Sequence, residues 1–357
     1  MKMLLAGGGT GGHLFPAVAI AQQLLRTDPD AETLFVGTER GIEARVLPQL
    51  GLALKTIDIA GFVGRSLAAK LALAPKLLRS LRQSLKIIDQ FRPDVVVGVG
   101  GYASGPVLLA AKRRGCPILI HEQNAAPGLT NRLLGRLAGR ICLTFDESAA
   151  FFRGNTVLTG NPVRSTMADC PPLPESPPTL LVFGGSRGAR AINQAMVGAL
   201  PHLESWRGRL KIIHQTGDED LETVQGAYRE AGWKDAEIRA FIDDMADVYA
   251  RSQLVVCRAG ATTIAELTAC GRPAVLIPYP HAAGDHQNAN ARSLAKKGAA
   301  LLLPQTQLDG KRLATLVADL LDDRRRLLEM AGAARSLGRP EAAELILDQC
   351  RAMARKG

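Results

Sequence analysis

A chain of 357 residues with 46% hydrophobic content is too long for one ordinary core, so its length predicts two domains of about 150 to 200 residues each. The net charge of +10 lies mainly in residues 1–161, which hold 19 lysines and arginines against 11 acidic residues, and this suits an anionic partner. Aromatic residues make up only 4% of the chain, which argues against a nucleic-acid-binding protein.

The cysteines and the apolar runs indicate the compartment. Six cysteines show neither a C-x-x-C pair nor zinc-ligand spacing, so we expect reduced cytosolic thiols packed in the interior. The first apolar run is broken at once by glycines, unlike a signal peptide. The longest uncharged run, residues 95–111, is shorter than the ~20 residues that span a bilayer. We expect a protein that is soluble or lies on a membrane surface.

Short apolar runs alternate with helical patterns along the first half of the chain, as parallel strands buried on both faces should. The first run leads into a helix from about residue 15, with Pro16 in its first turn. The alternation predicts a doubly wound domain. The predicted strands are residues 3–6, 33–37, 94–100, 117–123, 141–145 and 156–160.

A proline-rich stretch at residues 170–178 interrupts this pattern, and the alternation then restarts. We place the first domain at residues 1–163 and the second at residues 164–339, with a helix at about 340–357 that leaves the second sheet and packs back on the first domain. The second set of predicted strands begins at residue 179 and continues with residues 210–217, 237–242, 253–260, 273–280 and 299–304.

Three glycine-rich loops each follow a predicted strand. They are loop 1 (residues 7–13), loop 2 (residues 98–106) and loop 3 (residues 184–190). Gly7, Gly9 and Gly12 match G-x-G-x-x-G, in which backbone N–H groups can meet a phosphate. Any one loop is as often a simple turn, but three together favour a protein that binds more than one phosphate group.

Polar residues follow further strands at the same predicted sheet edge. His121, Glu122 and Gln123 end one strand, although a simple hydrogen-bonded strand end is an equal alternative for His121 and Gln123. In the second half, Glu266 lies in the first turns of a helix, where it can accept ribose hydroxyls or complement the helix dipole. Residues 281–291 form a polar loop entering a helix, without the spacing of a metal site.

Eight motifs in order carry a resemblance that covers essentially the whole chain: GGGTGGHLFP, GVGGYASGP, HEQNAAPGLTNR, GNPVR, FGGSRGAR, FIDDM, CRAGATTIAEL and GDHQNANA. With these motifs the chain resembles the MurG family of membrane-associated N-acetylglucosaminyltransferases. The resemblance implies an α/β fold of GT-B type, with two Rossmann-like doubly wound domains facing across a cleft. It implies a hexosyltransferase of peptidoglycan synthesis that moves GlcNAc from UDP-GlcNAc to the muramyl 4-hydroxyl of lipid I, with inversion, giving lipid II.

The resemblance also implies a set of donor-binding residues. Ser186 and the following helix would hold the diphosphate, with Arg187 as a basic departure from the motif, and Ile242 would offer its backbone to uracil. Glu266 would take the ribose, while Asn124 and Gln287 would read sugar hydroxyls. The full donor set is Thr10, Gly11, Gly12, Asn124, Arg164, Ser186, Ile242, Ala261, Thr262, Thr263, Ile264, Ala265, Glu266 and Gln287.

For the acceptor side, the expected diphosphate contacts are Gly9, Gly100, Gly101, Tyr102 and Ser104. Inverting transfer needs a base on the acceptor hydroxyl and proceeds through an oxocarbenium-like transition state. His13, at the mouth of loop 1, is the first candidate for the base, and Glu122 is the second. Ser186, Arg190 and the helix dipole would meet the charge of departing UDP. No convincing D-x-D motif ends a strand, so we expect no cofactor and no catalytic metal.

Two other classes of protein remain as alternatives, besides another nucleotide-sugar enzyme of the GT-B fold. A nicotinamide-dependent oxidoreductase would use loop 1, but it needs an acidic residue about 20 positions further on, and Glu39 comes several residues late. A non-catalytic scaffold on the membrane surface would use the basic half. Titration of the protein with UDP-GlcNAc and, separately, with NAD(H) would distinguish these interpretations.

Residues 65–89 carry basic side chains beside leucines at helical spacing, beginning with Arg65 and Lys70. Such an apolar face ordinarily packs on the sheet, but a polyprenyl-linked acceptor requires the site to approach a bilayer. We therefore expect peripheral binding to an anionic membrane at the cytoplasmic face of the inner membrane, and other cell-wall synthesis or division proteins are further candidate partners. The expected membrane contacts are Leu77, Leu78, Arg79, Leu81, Arg82, Leu85 and Lys86.

Overall fold

The computed structural model describes residues 1–59 and 74–354, which form two compact units. Unit 1 comprises Met1–Val163 together with Glu341–Gly357, and unit 2 comprises Arg164–Pro340. The predicted basic residues Arg65 and Lys70 lie outside the described residues.

Unit 1 alternates strands and helices. Within its described residues the strands are β1 (Lys2–Gly7), β2 (Glu32–Gly37), β3 (Leu54–Thr56), β4 (Val95–Gly100), β5 (Ile118–Glu122), β6 (Arg140–Leu143) and β7 (Thr156–Leu158). The helices are α1 (Gly11–Thr27), α2 (Glu43–Gln49), α3 (Ala74–Phe91), α4 (Ser104–Arg113), α5 (Leu129–Leu134) and, from the end of the chain, α13 (Ala342–Ala354).

The seven strands of unit 1 form one parallel sheet in the order β3-β2-β1-β4-β5-β6-β7. The sheet is buried on both faces, because Met3 and Leu5 of β1 join one apolar cluster while Leu4 and Ala6 join another. This alternation explains why the strands read as continuous apolar runs. The chain order reverses between β1 and β4, and that switch point is where open α/β sheets bind ligands.

Helix α13 completes one face of unit 1. Its buried residues Ile346, Leu347 and Cys350 join the same apolar cluster as Met3 and Leu5 of β1, and the helix packs against α1. The end of the chain therefore covers the sheet on which the chain begins.

Unit 2 repeats the alternation. Its strands are β8 (Thr179–Phe183), β9 (Lys211–Gln215), β10 (Glu237–Arg239), β11 (Leu254–Cys257), β12 (Ala274–Leu276) and β13 (Ala300–Leu302). Its helices are α6 (Arg190–Ala199), α7 (Leu221–Glu230), α8 (Met245–Arg251), α9 (Ala261–Cys270), α10 (His286–Lys296), α11 (Gly310–Asp322) and α12 (Arg324–Leu337).

The six strands of unit 2 are also all parallel, in the order β10-β9-β8-β11-β12-β13. Leu180 and Val182 of β8 pack with Val256 of β11 and Val317 of α11 in one large apolar cluster. The switch point lies between β8 and β11, so loop 3 and the start of α9 flank it. Both units are doubly wound parallel sheets, as the sequence predicts.

Three local features differ from the sequence-based expectations. Strand β3 was not predicted, because it is a three-residue edge strand without a buried apolar run. Helix α1 begins at Gly11 rather than near residue 15, so Pro16 lies inside the helix and removes the N–H that would meet Gly12 O. Several strands are shorter than predicted. For example, of the predicted strand at residues 273–280, only Ala274–Leu276 forms a strand.

All six cysteines are free, and five of them are buried. In the part of the chain that the structure describes, no helix has the length and apolarity needed to cross a membrane.

Candidate functional site

Loops 1 and 2 follow the central strands β1 and β4 of unit 1 and pack directly against each other. Gly7 pairs with Gly100 after a register shift at the end of β1. Gly101 has φ +80°, and a Cβ there would lie 2.6 Å from the carbonyl oxygen of Gly8. A Cβ on Gly7 would likewise lie 2.6 Å from the carbonyl oxygen of Gly100. Neither Gly7 nor Gly101 therefore accepts a side chain without a shift of the backbone. The glycines therefore serve the contact between the two loops.

The first turn of α1 offers N–H groups at this edge of the sheet. Thr10 is the N-cap residue, and the N–H groups of His13 and Leu14 both lie near its carbonyl oxygen, at 3.2 and 3.1 Å. Among the described residues, the N–H groups of Gly11 and Gly12 have no hydrogen-bond partner, as is usual at a helix start. These two glycines provide the donors that can meet an anion.

Gly9 differs from these two glycines. Its N–H donates to Glu43 Oε2 at 2.8 Å and so points into the protein. Gly9 was expected to contact the acceptor diphosphate, but in this arrangement its N–H is not available for that contact. The sequence reasoning missed Glu43, which is fully buried at the start of α2 and also accepts bonds from Thr38.

His13 lies half-buried in the first turn of α1. Its Nδ1 is 3.2 Å from Thr10 Oγ1. A Cβ on Gly100 would lie 3.1 Å from His13 Nε2 and 3.5 Å from Asn131 Nδ2, so the imidazole and the amide meet at the same glycine of loop 2. Loop 2 thus brings His13 near the residues that follow β5.

Glu122 ends β5 and is buried. Its carboxylate accepts hydrogen bonds from Asn131 Nδ2 at 2.8 Å, from the N–H of Asn124 at 3.0 Å and from the N–H of Gly128 at 3.2 Å. Burial raises the pKa of Glu122, while these hydrogen bonds act in the opposite direction. Glu122 therefore organises residues 124–131 around itself, and Asn124, a predicted donor contact, lies directly beside it.

His121 and Gln123, on either side of Glu122, are engaged within the protein. The Nε2 atom of His121 is 3.1 Å from Gly160 O, and its Nδ1 is 3.2 Å from Gln123 Nε2. Burial lowers the pKa of His121 to about 4, so its ring is neutral at pH 7. For these two residues the alternative of a hydrogen-bonded strand end matches the structure.

The remaining expected acceptor contacts differ in accessibility. Tyr102 is exposed on loop 2. Ser104 is fully buried, and its hydroxyl lies 2.7 Å from Ala6 O and 2.8 Å from Gly100 O, both of them acceptors. The Ser104 hydroxyl thus fastens loop 2 to β1 and is not presented at the surface. Gly101 is half-buried, and Gly100 is buried against His13.

The expected membrane contacts on α3 divide into two groups. Leu77 and Leu78 are exposed, as are the basic residues Arg82 and Lys86. Leu81 and Leu85 are half-buried and pack against an apolar cluster of unit 1. Arg79 is exposed and pairs with Asp58 at 3.3 Å. The exposed apolar surface of the described part of this helix is therefore concentrated at its N-terminal end.

In unit 2, loop 3 packs tightly on the turn that follows β9. Gly188, at φ +73°, lies so close that a Cβ would be 1.8 Å from Thr216 O. Ser186 and Arg187 are exposed on the loop, and Arg190 at the start of α6 forms salt bridges with Glu219 and Asp220. Part of the positive charge of Arg190 is thus compensated within unit 2.

Gln215, at the end of β9, is a second residue that the sequence reasoning missed. Its Nε2 donates to Gly185 O at 2.8 Å, and its Oε1 accepts the N–H of Ile242 at 3.3 Å. The N–H of Ile242 is therefore already hydrogen-bonded to Gln215, so a backbone contact from Ile242 to uracil would not use this N–H. Beside it, Arg164 donates to Asp243 O at 3.1 Å. These two bonds hold the residue 242–243 segment against loop 3 and the start of unit 2.

Glu266 is half-buried in the second turn of α9, and Tyr249 OH donates to its Oε2 at 3.1 Å. Burial raises the pKa of Glu266 to about 7, with smaller opposing effects of the Tyr249 bond and of Arg164. The run of expected donor contacts from Ala261 to Ala265 forms the preceding turn, which starts after the N-cap Gly260. The helix N-terminus and the carboxylate thus face the same end of the sheet.

Gln287 lies in the first turn of α10, where its Oε1 accepts the N–H of Tyr279 at 2.9 Å. Within residues 1–59 and 74–354, no three side chains of histidine, cysteine, aspartate or glutamate lie together as potential metal ligands. Thr10, Gly11, Gly12 and Asn124 belong to unit 1, whereas the other expected donor contacts belong to unit 2.

Family models match both units. The glycosyltransferase family 28 N-terminal domain matches residues 3–143, and the glycosyltransferase family 28 C-terminal domain matches residues 179–346. Two similar relatives carry the name UDP-N-acetylglucosamine--N-acetylmuramyl-(pentapeptide) pyrophosphoryl-undecaprenol N-acetylglucosamine transferase. The relative from Syntrophotalea carbinolica is 60% identical over 98% of both chains, and that from Geobacter sulfurreducens is 50% identical over 100% of both.

Among solved structures, MurG of Acinetobacter baumannii is similar, with a TM-score of 0.82, 35% identity and coverage of 98% of this chain and 99% of that one. This likeness and the two parallel sheets confirm the expected GT-B type of α/β fold. The two family models together match most of the chain, and the relatives match it from end to end. The chain belongs to glycosyltransferase family 28.

Proposed function

We propose that the chain is an inverting N-acetylglucosaminyltransferase that moves GlcNAc from UDP-GlcNAc to the 4-hydroxyl of MurNAc in undecaprenyl-diphospho-MurNAc-pentapeptide. The observation that carries this proposal is the full-length similarity to relatives that bear the name of this transferase. The product is the lipid II of peptidoglycan synthesis. The glycine loops at both switch points support the proposal, because donor and acceptor each contain a diphosphate.

Unit 2 is the proposed donor-binding unit. Glu266 accepts the ribose hydroxyls, held in place by Tyr249. The N-terminal turn of α9 and loop 3 with Ser186 surround the diphosphate, where helix N–H groups favour an anion. Ile242 lies beside uracil on a segment that Gln215 holds, and Gln287 contacts the sugar. Thr10, Gly11, Gly12, Asn124 and Arg164 complete the donor contacts.

Unit 1 is the proposed acceptor-binding unit, and His13 is the proposed general base. When its Nδ1–H donates to Thr10 Oγ1, the Nε2 lone pair is the site that takes the proton of the acceptor hydroxyl. Glu122 remains the second candidate. Its carboxylate is buried and accepts four hydrogen bonds within the protein, and this supports His13 over Glu122. Gly100, Gly101 and Tyr102 of loop 2 would face the acceptor diphosphate, whereas the N–H of Gly9 and the hydroxyl of Ser104 are engaged within unit 1.

Departure of UDP leaves negative charge on the diphosphate as the oxocarbenium-like transition state forms. Ser186, Arg190 and the N-terminal helix turns of unit 2 would stabilise this charge, because oriented N–H groups at a helix start interact favourably with anions. In this scheme no cofactor or metal ion takes part. Addition of a chelator should therefore leave the transfer rate unchanged.

The acceptor is anchored in lipid, so the enzyme would work at the cytoplasmic face of the inner membrane as a peripheral protein. The exposed Leu77 and Leu78 of α3, with the basic residues Arg82 and Lys86, support this placement. Apolar side chains enter the interface while basic ones meet anionic headgroups. Proteins of cell-wall synthesis and division are further proposed partners.

A transfer assay with purified chain tests the function. UDP-GlcNAc radiolabelled in the sugar is incubated with a lipid I analogue, and a labelled disaccharide product joined through the 4-hydroxyl with inverted anomeric configuration is expected. An acceptor lacking that hydroxyl serves as the control. Free GlcNAc or an epimerised sugar nucleotide, with no disaccharide, would instead indicate another nucleotide-sugar enzyme.

A further inference from the structure

Glu43 is a buried carboxylate whose hydrogen bonds to described residues go to two segments at the carboxyl edge of the unit 1 sheet. It is 0% exposed. A carboxyl group in such a position needs hydrogen-bond partners within the protein. Its Oε1 accepts the N–H and the hydroxyl of Thr38 at 2.8 and 2.9 Å, and its Oε2 accepts the N–H of Gly9 at 2.8 Å. Glu43 therefore joins the segment after β2 to loop 1.

The space around this carboxylate is shaped by three glycines. A Cβ on Gly8, Gly37 or Gly41 would lie 2.5, 2.5 or 2.1 Å from the nearest side-chain atom of Glu43. No larger residue fits at these positions while the carboxylate stays where it is. Three positions in two segments are thus matched to one side chain.

The bond to Gly9 fixes the orientation of the Gly8–Gly9 peptide. Because a trans peptide directs its N–H and its carbonyl to opposite sides, the N–H points at Glu43 while Gly8 O points away from it. That oxygen packs against Gly101 of loop 2. The next residue, Thr10, caps α1 and contacts His13 Nδ1. A continuous series of contacts therefore runs from Glu43 to the imidazole of His13.

We propose that Glu43 is a positioning residue for the transfer reaction: its carboxylate fixes loop 1 so that Thr10 and His13 are held toward the acceptor. This inference rests on the proposed function, and it adds a residue that acts from behind the loop without touching substrate. A small displacement of a catalytic group is enough to matter, since about 1 Å can cost about 100-fold in rate.

The test substitutes Glu43→Gln, which keeps the shape but replaces one acceptor oxygen by a donor NH2 facing the N–H groups. We expect kcat/KM for the acceptor to fall about 10-fold to 100-fold. The Kd for UDP-GlcNAc should rise by a smaller factor, because loop 1 carries only Thr10, Gly11 and Gly12 of the proposed donor contacts and most of the others belong to unit 2. The matched control is Glu39→Gln, which makes the same charge change on an exposed residue of the same connection and should leave kcat/KM unchanged.

A double-mutant cycle distinguishes positioning from general loss of structure. If Glu43 acts through His13, Glu43→Gln should cost less than about threefold in a His13→Ala background, because there is no imidazole left to position. Equal losses in the two backgrounds would overturn the proposal, as would a Glu43→Gln enzyme with kcat/KM within twofold of wild type.

Hydrogen exchange provides a readout that does not depend on transfer. We expect faster exchange of the amides of Gly9 and Thr38 in Glu43→Gln, with exchange in unit 2 unchanged. If wild type transferred no GlcNAc, the proposed function would fail while exchange still tested the positioning. Unchanged protection of both amides would contradict the role of Glu43 in either case.

Discussion

Burial raises the pKa of the Glu266 carboxyl from 4.5 to about 7, although the hydrogen bond from Tyr249 and the charge of Arg164 act in the opposite direction. The ionised form accepts ribose hydroxyls better than the protonated form does, since hydrogen bonds to charged groups contribute about 1.5 to 3 kcal/mol each. Protonation as the pH falls through 7 should therefore weaken donor binding. Tyr249 donates to the same carboxylate at 3.1 Å and orients it.

We predict that the Kd for UDP-GlcNAc rises by up to about tenfold between pH 8 and pH 6, because the ionised fraction of Glu266 falls about tenfold over that range. Calorimetric titration measures this directly, and UDP-GlcNAc is preferred to UDP because its diphosphate diester does not titrate there. Glu266→Gln should bind more weakly at pH 8 and lose the pH dependence. The same slope in that variant would assign the titration to another group.

His13 is the residue on which the proposed chemistry depends most. His13→Ala should lower kcat by about 10² to 10⁴, the usual contribution of a general base, while the Kd for UDP-GlcNAc stays nearly unchanged. Single-turnover kinetics and donor titration measure the two effects separately. Loss of donor affinity at unchanged kcat would make His13 a binding residue, and Glu122→Gln would then be the variant expected to lose the base.

At the scale of single elements, α3 has one buried and one exposed side. Ser80, Ser84 and Ile88 are buried within unit 1, while Leu77 and Leu78 are exposed near the N-terminal end of the helix. The interpretation as an ordinary packed helix therefore holds for the buried side, and the membrane proposal concerns the exposed side. Arg82 and Lys86 are the basic residues best suited to test it, because Arg79 is paired with Asp58.

We predict that the double variant Arg82→Glu and Lys86→Glu binds anionic vesicles less, by about 1 kcal/mol or more for each basic residue lost. Co-sedimentation with vesicles containing phosphatidylglycerol measures the binding, and high salt should weaken it for wild type. The control reverses Arg325 and Arg326, which are exposed on α12 of unit 2. Equal loss in the control would show that net charge, and not α3, determines the binding.

At the scale of the whole molecule, the first six strands of unit 1 and the six strands of unit 2 follow the same order, and the proposed ligands lie at the same place in each sheet. In each, the loops after the two central strands flank the switch point. Unit 1 is closed by α13, whose Leu347 is fully buried beside residues of β1. The stability of unit 1 thus depends on residues far along the chain from its sheet.

Leu347→Ala should lower the free energy of unfolding of unit 1 by about 2 to 5 kcal/mol, the usual cost of a buried leucine. Calorimetry combined with hydrogen exchange of α1 and α13 measures the loss and locates it. Glu344→Ala, on the exposed side of the same helix, is the control and should change stability by less than about 0.5 kcal/mol. Faster exchange confined to unit 2 would contradict the packing of α13.

The predictable parts of this molecule are those that a local pattern encodes. Buried parallel strands appear in the sequence as apolar runs, so the strands of both sheets could be predicted from these runs. The exception is β3, whose three residues carry no such run. Glu43 and Gln215 could not be found in this way, because each is defined by partners in separate loops. The sequence likewise did not reveal that Ser104 and the N–H of Gly9 point inward, since orientation depends on the tertiary structure.

The place of α13 in unit 1 has a consequence for biosynthesis. The sheet of unit 1 is complete once the ribosome has made residue 158, but the helix that covers its β1 and α1 residues comes only with residues 342–354. At about 5 to 20 residues per second, that interval lasts roughly 10 to 40 s. During this time the apolar face formed by β1 and α1 lacks the helix that covers it in unit 1. We expect this face to be the surface at which chaperones engage the unfinished chain.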